Sequence, residues 1–163
     1  MQDNSMQDNE AGQHRARAVT ANNSVWELLD GRDFTVDDAD DLLERAYASA
    51  YHWRRAVDST PVNRMRASWL ISRCHATLGH GELALHHADR VAHFLSESGS
   101  DAADFDHAYA FEARARALAC LGQLDEAALL RERASAVPVA DAQDREVFEG
   151  DLAAEPWFGL DKT

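Results

Sequence analysis

From Val36 to Pro156 the apolar residues recur at three- and four-residue spacings, and the interruptions are glycines, prolines and short polar runs. That rhythm suits amphipathic helices and supports no strand. DDADDLLERAYASAYHWRRAV sets Ala39, Leu42, Leu43, Ala46, Ala50, Trp53 and Val57 on one stripe. Its acids crowd the start and Arg54 and Arg55 the end, as a helix dipole prefers. The run DSTP, residues 58–61, breaks it. Pro61 then opens the next helix, where its missing N–H costs nothing. That helix has a core stripe of Ala67, Leu70, Ile71, Cys74 and Leu78, and Gly79 stops it. A third helix follows almost at once, with Leu83, Ala84, Ala88, Val91 and Leu95 inward. After the loop SGSDAAD comes a fourth, with Ala108, Phe111, Ala115 and Leu118 inward, running to Gly122. QLDEAALLRERASAV is its partner, ended by Pro138, and one more helix is stopped by Pro156. Trp157 and Phe158 are expected to fold back over the last apolar groove. The alternative is docking onto a second copy, which makes a homodimer.

Upstream, MQDNS is followed at once by MQDNE. Two near-copies of a polar pentapeptide read as a disordered leader over residues 1–21. SVWELLDGRDFT reads as a short helix, with Ser24 as its cap, Glu27 completing a capping box, and Gly31 as its stop. The expectation is therefore an all-α domain over 22–160. About seven helices pair as antiparallel hairpins through short turns, with no sheet.

Net charge is −13 and the isoelectric point about 4.9. An acidic surface repels nucleic acid and anionic lipid, so neither is expected as a partner. No apolar run has membrane-spanning length and the N-terminus has no signal core, which reads as cytoplasmic. Cys74 and Cys120 form no CxxC pair and read as buried free thiols.

The two central hairpins, 62–97 and 105–137, align on their glycines. Gly79 to Ala84 and Gly122 to Ala127 are both five residues. Phe111, Ala115 and Leu118 precede Gly122, and Leu124, Ala127 and Ala134 follow it. This spacing resembles the tetratricopeptide repeat, in which small residues let paired helices approach and bulky ones fill the gap between hairpins. The match is closest over 108–138. Over 65–96, Ser68 stands where the large aromatic is expected, with Trp69 one place later, and Val91 replaces the second alanine. The glycines are 43 residues apart rather than about 34. The resemblance covers about half the chain and implies a short TPR-like solenoid with flanking helices as caps. Tyr51–Trp53, Ala108–Ala115 and the terminal DLAAEPW are also similar to uncharacterised bacterial proteins of this type.

In that family the first helix of each hairpin lines a concave groove. Carried over by position, the groove holds Arg66, Trp69 and Arg73 from one hairpin and Tyr109, Glu112 and Arg116 from the next. His52 joins from the preceding helix. Arginines and aromatics anchor partners, and this set suits an acidic peptide, a C-terminal carboxylate or an anionic small molecule. The carboxylate clamp of chaperone-binding relatives is not reproduced, because Ala113 occupies one of its polar positions. The reading is a protein- or peptide-binding module. A small-molecule or enzymatic pocket from the same residues is the alternative, and a self-associating structural subunit is a further one. Against the groove stands a plainer account: Glu112 and Arg116 as an i,i+4 ion pair, and Trp69 as core.

Other chemistry has little support. His86, Asp89 and His93 share a face, but that face is the polar side of an amphipathic helix, and seven-residue spacing is long for one ion. No HExxH, GxSxG, P-loop or GxGxxG is present. Cys74 and His75 are helical neighbours that point apart. No cofactor is called for, and catalysis is not the expectation.

Overall fold

The structure is a computed structural model that describes residues 3–29 and 33–160, with side chains from residue 12 onward. Among the described residues seven α-helices follow one another: α1 (Asp3–Leu29), α2 (Val36–Trp53), α3 (Pro61–Thr77), α4 (Gly81–Ser98), α5 (Asp104–Cys120), α6 (Leu124–Ala136) and α7 (Ala142–Ala153). A single 3-10 turn, Gly99–Asp101, separates α4 from α5, and no strand occurs among the described residues. None of these helices is long and apolar enough to cross a membrane.

The helix starts follow local chemistry. Thr35 caps α2 by accepting from the Asp38 N–H at 3.1 Å, and Asp38 accepts from the Thr35 N–H at 3.2 Å, a reciprocal capping box. Pro61 stands in the first turn of α3. Asp141 caps α7 by accepting from the N–H groups of Gln143 and Asp144. The ends of α3 and α5 are copies of each other. Gly79 and Gly122 have φ of +77° and +78°. The N–H after each glycine reaches back five residues, His80 to the His75 carbonyl at 2.8 Å and Gln123 to the Leu118 carbonyl at 2.9 Å. This is the Schellman ending, which glycine adopts without steric cost. Ala84 and Ala127, five residues past the two glycines, are fully buried, and so are Val91 and Ala134, twelve past.

Helices α1 and α2, α3 and α4, and α5 and α6 pack as hairpins, and α7 lies against α5 and α6. The odd-numbered helices also touch one another in a row, α1 to α3 to α5 to α7, while α2 packs on α3 and α4 on α5. The molecule thus has an odd-helix layer and an even-helix layer. Helices α3 and α5 have neighbours on nearly every side, so they are buried almost all round. One apolar cluster joins Val25 and Leu28 of α1 to Leu42 and Ala46 of α2 and to Leu70, Ile71 and Cys74 of α3. A second joins Ala115, Leu118, Ala127 and Leu130 to Trp157 and Leu160. Trp157 is fully buried, so it folds back as expected, whereas Phe158 beside it is exposed.

Four expectations are corrected. The polar leader read over residues 1–21 is helical from Asp3 and continuous with the segment after it. Ala18 is fully buried and its carbonyl accepts from the Ser49 hydroxyl at 2.9 Å, so packing on α2 supports a helix that composition alone would not. Ser24 therefore lies inside α1 rather than capping it, and its hydroxyl donates to the Ala21 carbonyl. The expected stop at Gly31 lies outside the described residues. Val57 is exposed because α2 ends at Trp53, before the stripe reaches it, and Leu83 is half exposed in the first turn of α4.

Candidate functional site

Five of the seven expected groove residues do come together, but in the interior. Glu112 of α5 is 1% exposed and accepts from three side chains. These are the Trp69 indole N–H at 2.7 Å, Arg116 Nε at 2.6 Å and Arg73 Nη1 at 3.4 Å. Arg116, also 1% exposed, donates to the carbonyls of Asp151, Ala154 and Pro156 at 2.8–3.0 Å. The Trp157 ring covers its guanidinium at 4.0 Å. Tyr109 donates to Asp151 Oδ2 at 2.5 Å. Burial, then the bond to Asp151, pushes the Tyr109 phenol far up, and burial also raises the Asp151 carboxyl. Two guanidiniums balance two carboxylates here, as groups taken out of water require. The face is closed by the chain's own residues 151–157, which occupy the donors a ligand would need. Arg73 fits least well: its Nε has no partner, and Nη2 reaches only the Glu155 carbonyl at 3.5 Å.

Arg66 is a staple between α3 and α5. It meets Asp106 with two bonds of 2.9 Å, and Asp106 is 1% exposed. Trp69 and Tyr109 belong to a ladder along the odd helices. Trp26 stacks on Trp69 at 5.9 Å, Trp69 meets Tyr109 at 4.7 Å, and Tyr109 meets Phe148 at 4.9 Å. One aromatic from each odd helix thus fastens it to the next. His52 does not join this group. Its Nδ1 lies 2.7 Å from His14 Nδ1 on α1 and its ring packs on Tyr51, while burial lowers its pKa.

A different place gathers several arginines without carboxylate partners. A cleft of about 480 Å³ opens between α2 and α4, with α3 as its floor. Its lining includes Arg54 and Arg55 after the end of α2, Arg64 of α3 and Arg90 of α4, with His86 and His87, and no acid. Among the described residues none of these four arginines forms an ion pair. Aromatic rings hold three of them. The Arg55 guanidinium sits 3.6 Å from the Tyr51 ring centre, and those of Arg64 and Arg90 sit 4.3 and 4.6 Å from that of Phe94. Stacking fixes each cation without neutralising it.

From the lining residues Tyr47 and His87 a relay of hydrogen bonds runs inward. The Tyr47 hydroxyl lies 2.9 Å from His75 Nε2 and 3.1 Å from His87 Nε2, and His75 Nδ1 lies 3.2 Å from His80 Nδ1. Burial, then a neighbouring histidine, pulls both His75 and His87 down to about 4. They are uncharged at neutral pH, so each offers one donor and one acceptor to the chain of bonds. Elsewhere on α4, Asp89 pairs with Arg114 at 2.5 Å and His93 lies 3.5 Å from Glu97. Among the described residues no group of three or more His, Cys, Asp or Glu is arranged to hold a metal ion. Cys74 is buried and pushed up to about 12 by that burial, which leaves it a thiol.

The helix dipole alone accounts for Arg54 and Arg55 at the end of α2, so their position in the sequence does not mark the cleft. A signal did exist. Residues 51–95 carry six arginines and only three acids, against a whole-chain charge of −13. Comparison of the chain with protein-family models, with curated proteins and with solved structures finds no match.

Proposed function

We propose that the chain is a cytoplasmic, tetratricopeptide-like protein- or peptide-binding module, and that its working surface is the α2–α4 cleft rather than the odd-helix face. The observation that carries this reading is the set of four arginines without carboxylate partners in a protein with a large excess of acid. Cations gathered in one cleft focus the local potential against the sign of the rest of the surface, which selects and steers an anionic partner. The shape favours a polypeptide over a small molecule. Tyr47 and Tyr51 on the wall are 42% and 51% exposed, so the cleft is open, whereas a small-molecule site encloses most of its ligand. The occupant is an acidic segment of a partner protein, laid along α2 and α4 with its carboxylates on the arginines.

The test is fluorescence anisotropy with a labelled hexaglutamate peptide at low and moderate salt. Wild type binds and weakens as salt rises, and Arg64→Glu/Arg90→Glu, still helical by circular dichroism, does not bind. Equal binding by both proteins would sink the assignment to this cleft.

A further inference from the structure

Resting on the acidic-peptide reading of the same cleft, we infer that its inner end is a receptor for one phosphorylated side chain, clamped between Arg64 and Arg90. The argument starts from Phe94. That ring is 3% exposed, so it is a fixed part of the α4 wall of the cleft. Arg64 arrives from α3 and Arg90 from α4, and both guanidiniums lie on this one ring. Two like charges fastened to a common support repel each other unless an anion lies between them. Their side chains are already ordered on the ring, so a ligand bears less of the entropy cost of fixing them.

The charge and donor count favours phosphate over carboxylate. A carboxylate has two oxygens and one charge, and one guanidinium satisfies it with two parallel bonds. Arg66 does this to Asp106 in the same molecule. A carboxylate placed between Arg64 and Arg90 would leave one fork and one charge over. A phosphate monoester carries about −1.5 to −2 charges and three acceptor oxygens, enough to take a fork from each arginine. Arg54 and Arg55 line the α2 side of the cleft. They are placed for acidic residues flanking the phosphorylated one. Ser68 and His87 line the cleft as uncharged groups and add no anion of their own.

Three labelled peptides of one acidic sequence test this, differing at a central position that holds phosphoserine, glutamate or serine. They are titrated against wild type and against Arg64→Lys/Arg90→Lys, which keeps both charges but removes both forks. The expected result is that wild type binds the phosphoserine peptide at least about tenfold tighter than the glutamate peptide. The lysine variant erases that preference and still binds the glutamate peptide. Inorganic phosphate displaces the phosphopeptide better than sodium chloride of equal ionic strength. Equal affinity for phosphoserine and glutamate peptides overturns the phosphate receptor and leaves the acidic-peptide reading standing. A preference that survives the lysine variant overturns its location. Absence of binding by all three peptides overturns both readings.

Discussion

Arg64, Arg66 and Arg73 leave the same helix within three turns and meet three different fates. Arg73 enters the buried layer with Glu112 and Arg116, Arg66 spans to a buried Asp106, and Arg64 stacks on Phe94 in an open cleft with no carboxylate beside it. The buried layer and the cleft use the same residue types to opposite ends. In the layer, charge is cancelled and each nitrogen of the Arg116 guanidinium donates a bond, so the arginine is structural. In the cleft, charge is left standing and geometry is fixed by rings, so the arginines are available. A buried cation must be neutralised because desolvation is costly, whereas a cation at a wet cleft can wait for its partner.

The contrast can be broken most sharply at Arg116. Arg116→Ala leaves Glu112 buried with the Trp69 N–H and, as its one cation, a poorly bonded Arg73, and frees the three carbonyls of the C-terminal segment. It should cost about 3–5 kcal/mol, read from urea denaturation. Arg116→Met/Glu112→Gln should recover much of that loss, because the orphaned charge is gone. A loss below about 1 kcal/mol for the single variant would mean that the layer does not tie the interior together.

Acid should probe the boundary between the two regions, where the His75–Tyr47–His87 relay stands. Both histidines have a folded pKa near 4, below the ordinary 6.5. The unfolded chain therefore takes up protons first as pH falls. Stability should be full above about 6.5 and decline toward 4, with no further loss from these groups below that. Charges near the pair act in the same direction: His80 beside His75, and His86 and Arg90 beside His87. Denaturation midpoints between pH 7 and 5, above the range of most carboxylates, read the effect, to which His52 adds in the same direction. His75→Gln/His87→Gln should flatten the profile. An unchanged slope would place the titration elsewhere.

The smallest stability effect is expected in the cleft itself. Arg64→Ala and Arg90→Ala should change unfolding free energy by no more than about 0.5 kcal/mol, and their combination is expected to stabilise slightly by removing repulsion. A large loss in thermal or urea melts would show that these arginines hold the fold, as Arg116 does, and the comparison would collapse.

Much of the fold is legible in the order of residues alone. Six of the seven helices announce themselves by apolar spacing, and Gly79, Gly122, Pro61 and Pro138 mark their ends. The alignment of two hairpins on Gly79 and Gly122 is matched by their φ values and by the burial of Ala84, Val91, Ala127 and Ala134. Of helix α1 only the stretch from Ser24 is legible; the turns before it are not, because Ala18 is too little on a polar segment to signal them, and the contacts that support the helix come from α2 and α3. The site is half legible. The stripe Arg66, Trp69, Arg73 and the stripe Tyr109, Glu112, Arg116 do face each other across α3 and α5. A helical pattern cannot say whether such a facing pair borders water or is sealed.

What the sequence determined by itself is the local part: where helices start and stop, which residues share a face, and the residue types each face carries. These depend on interactions within a few residues, such as caps, turn glycines and apolar period. Only the tertiary structure decided which polar face is interior. The C-terminal segment returns across α5 and lays its carbonyls on Arg116. It thereby closes one face, and the opening between α2 and α4 gathers four arginines without carboxylate partners. That choice rests on contacts between residues some 40 positions apart, and no periodicity encodes them.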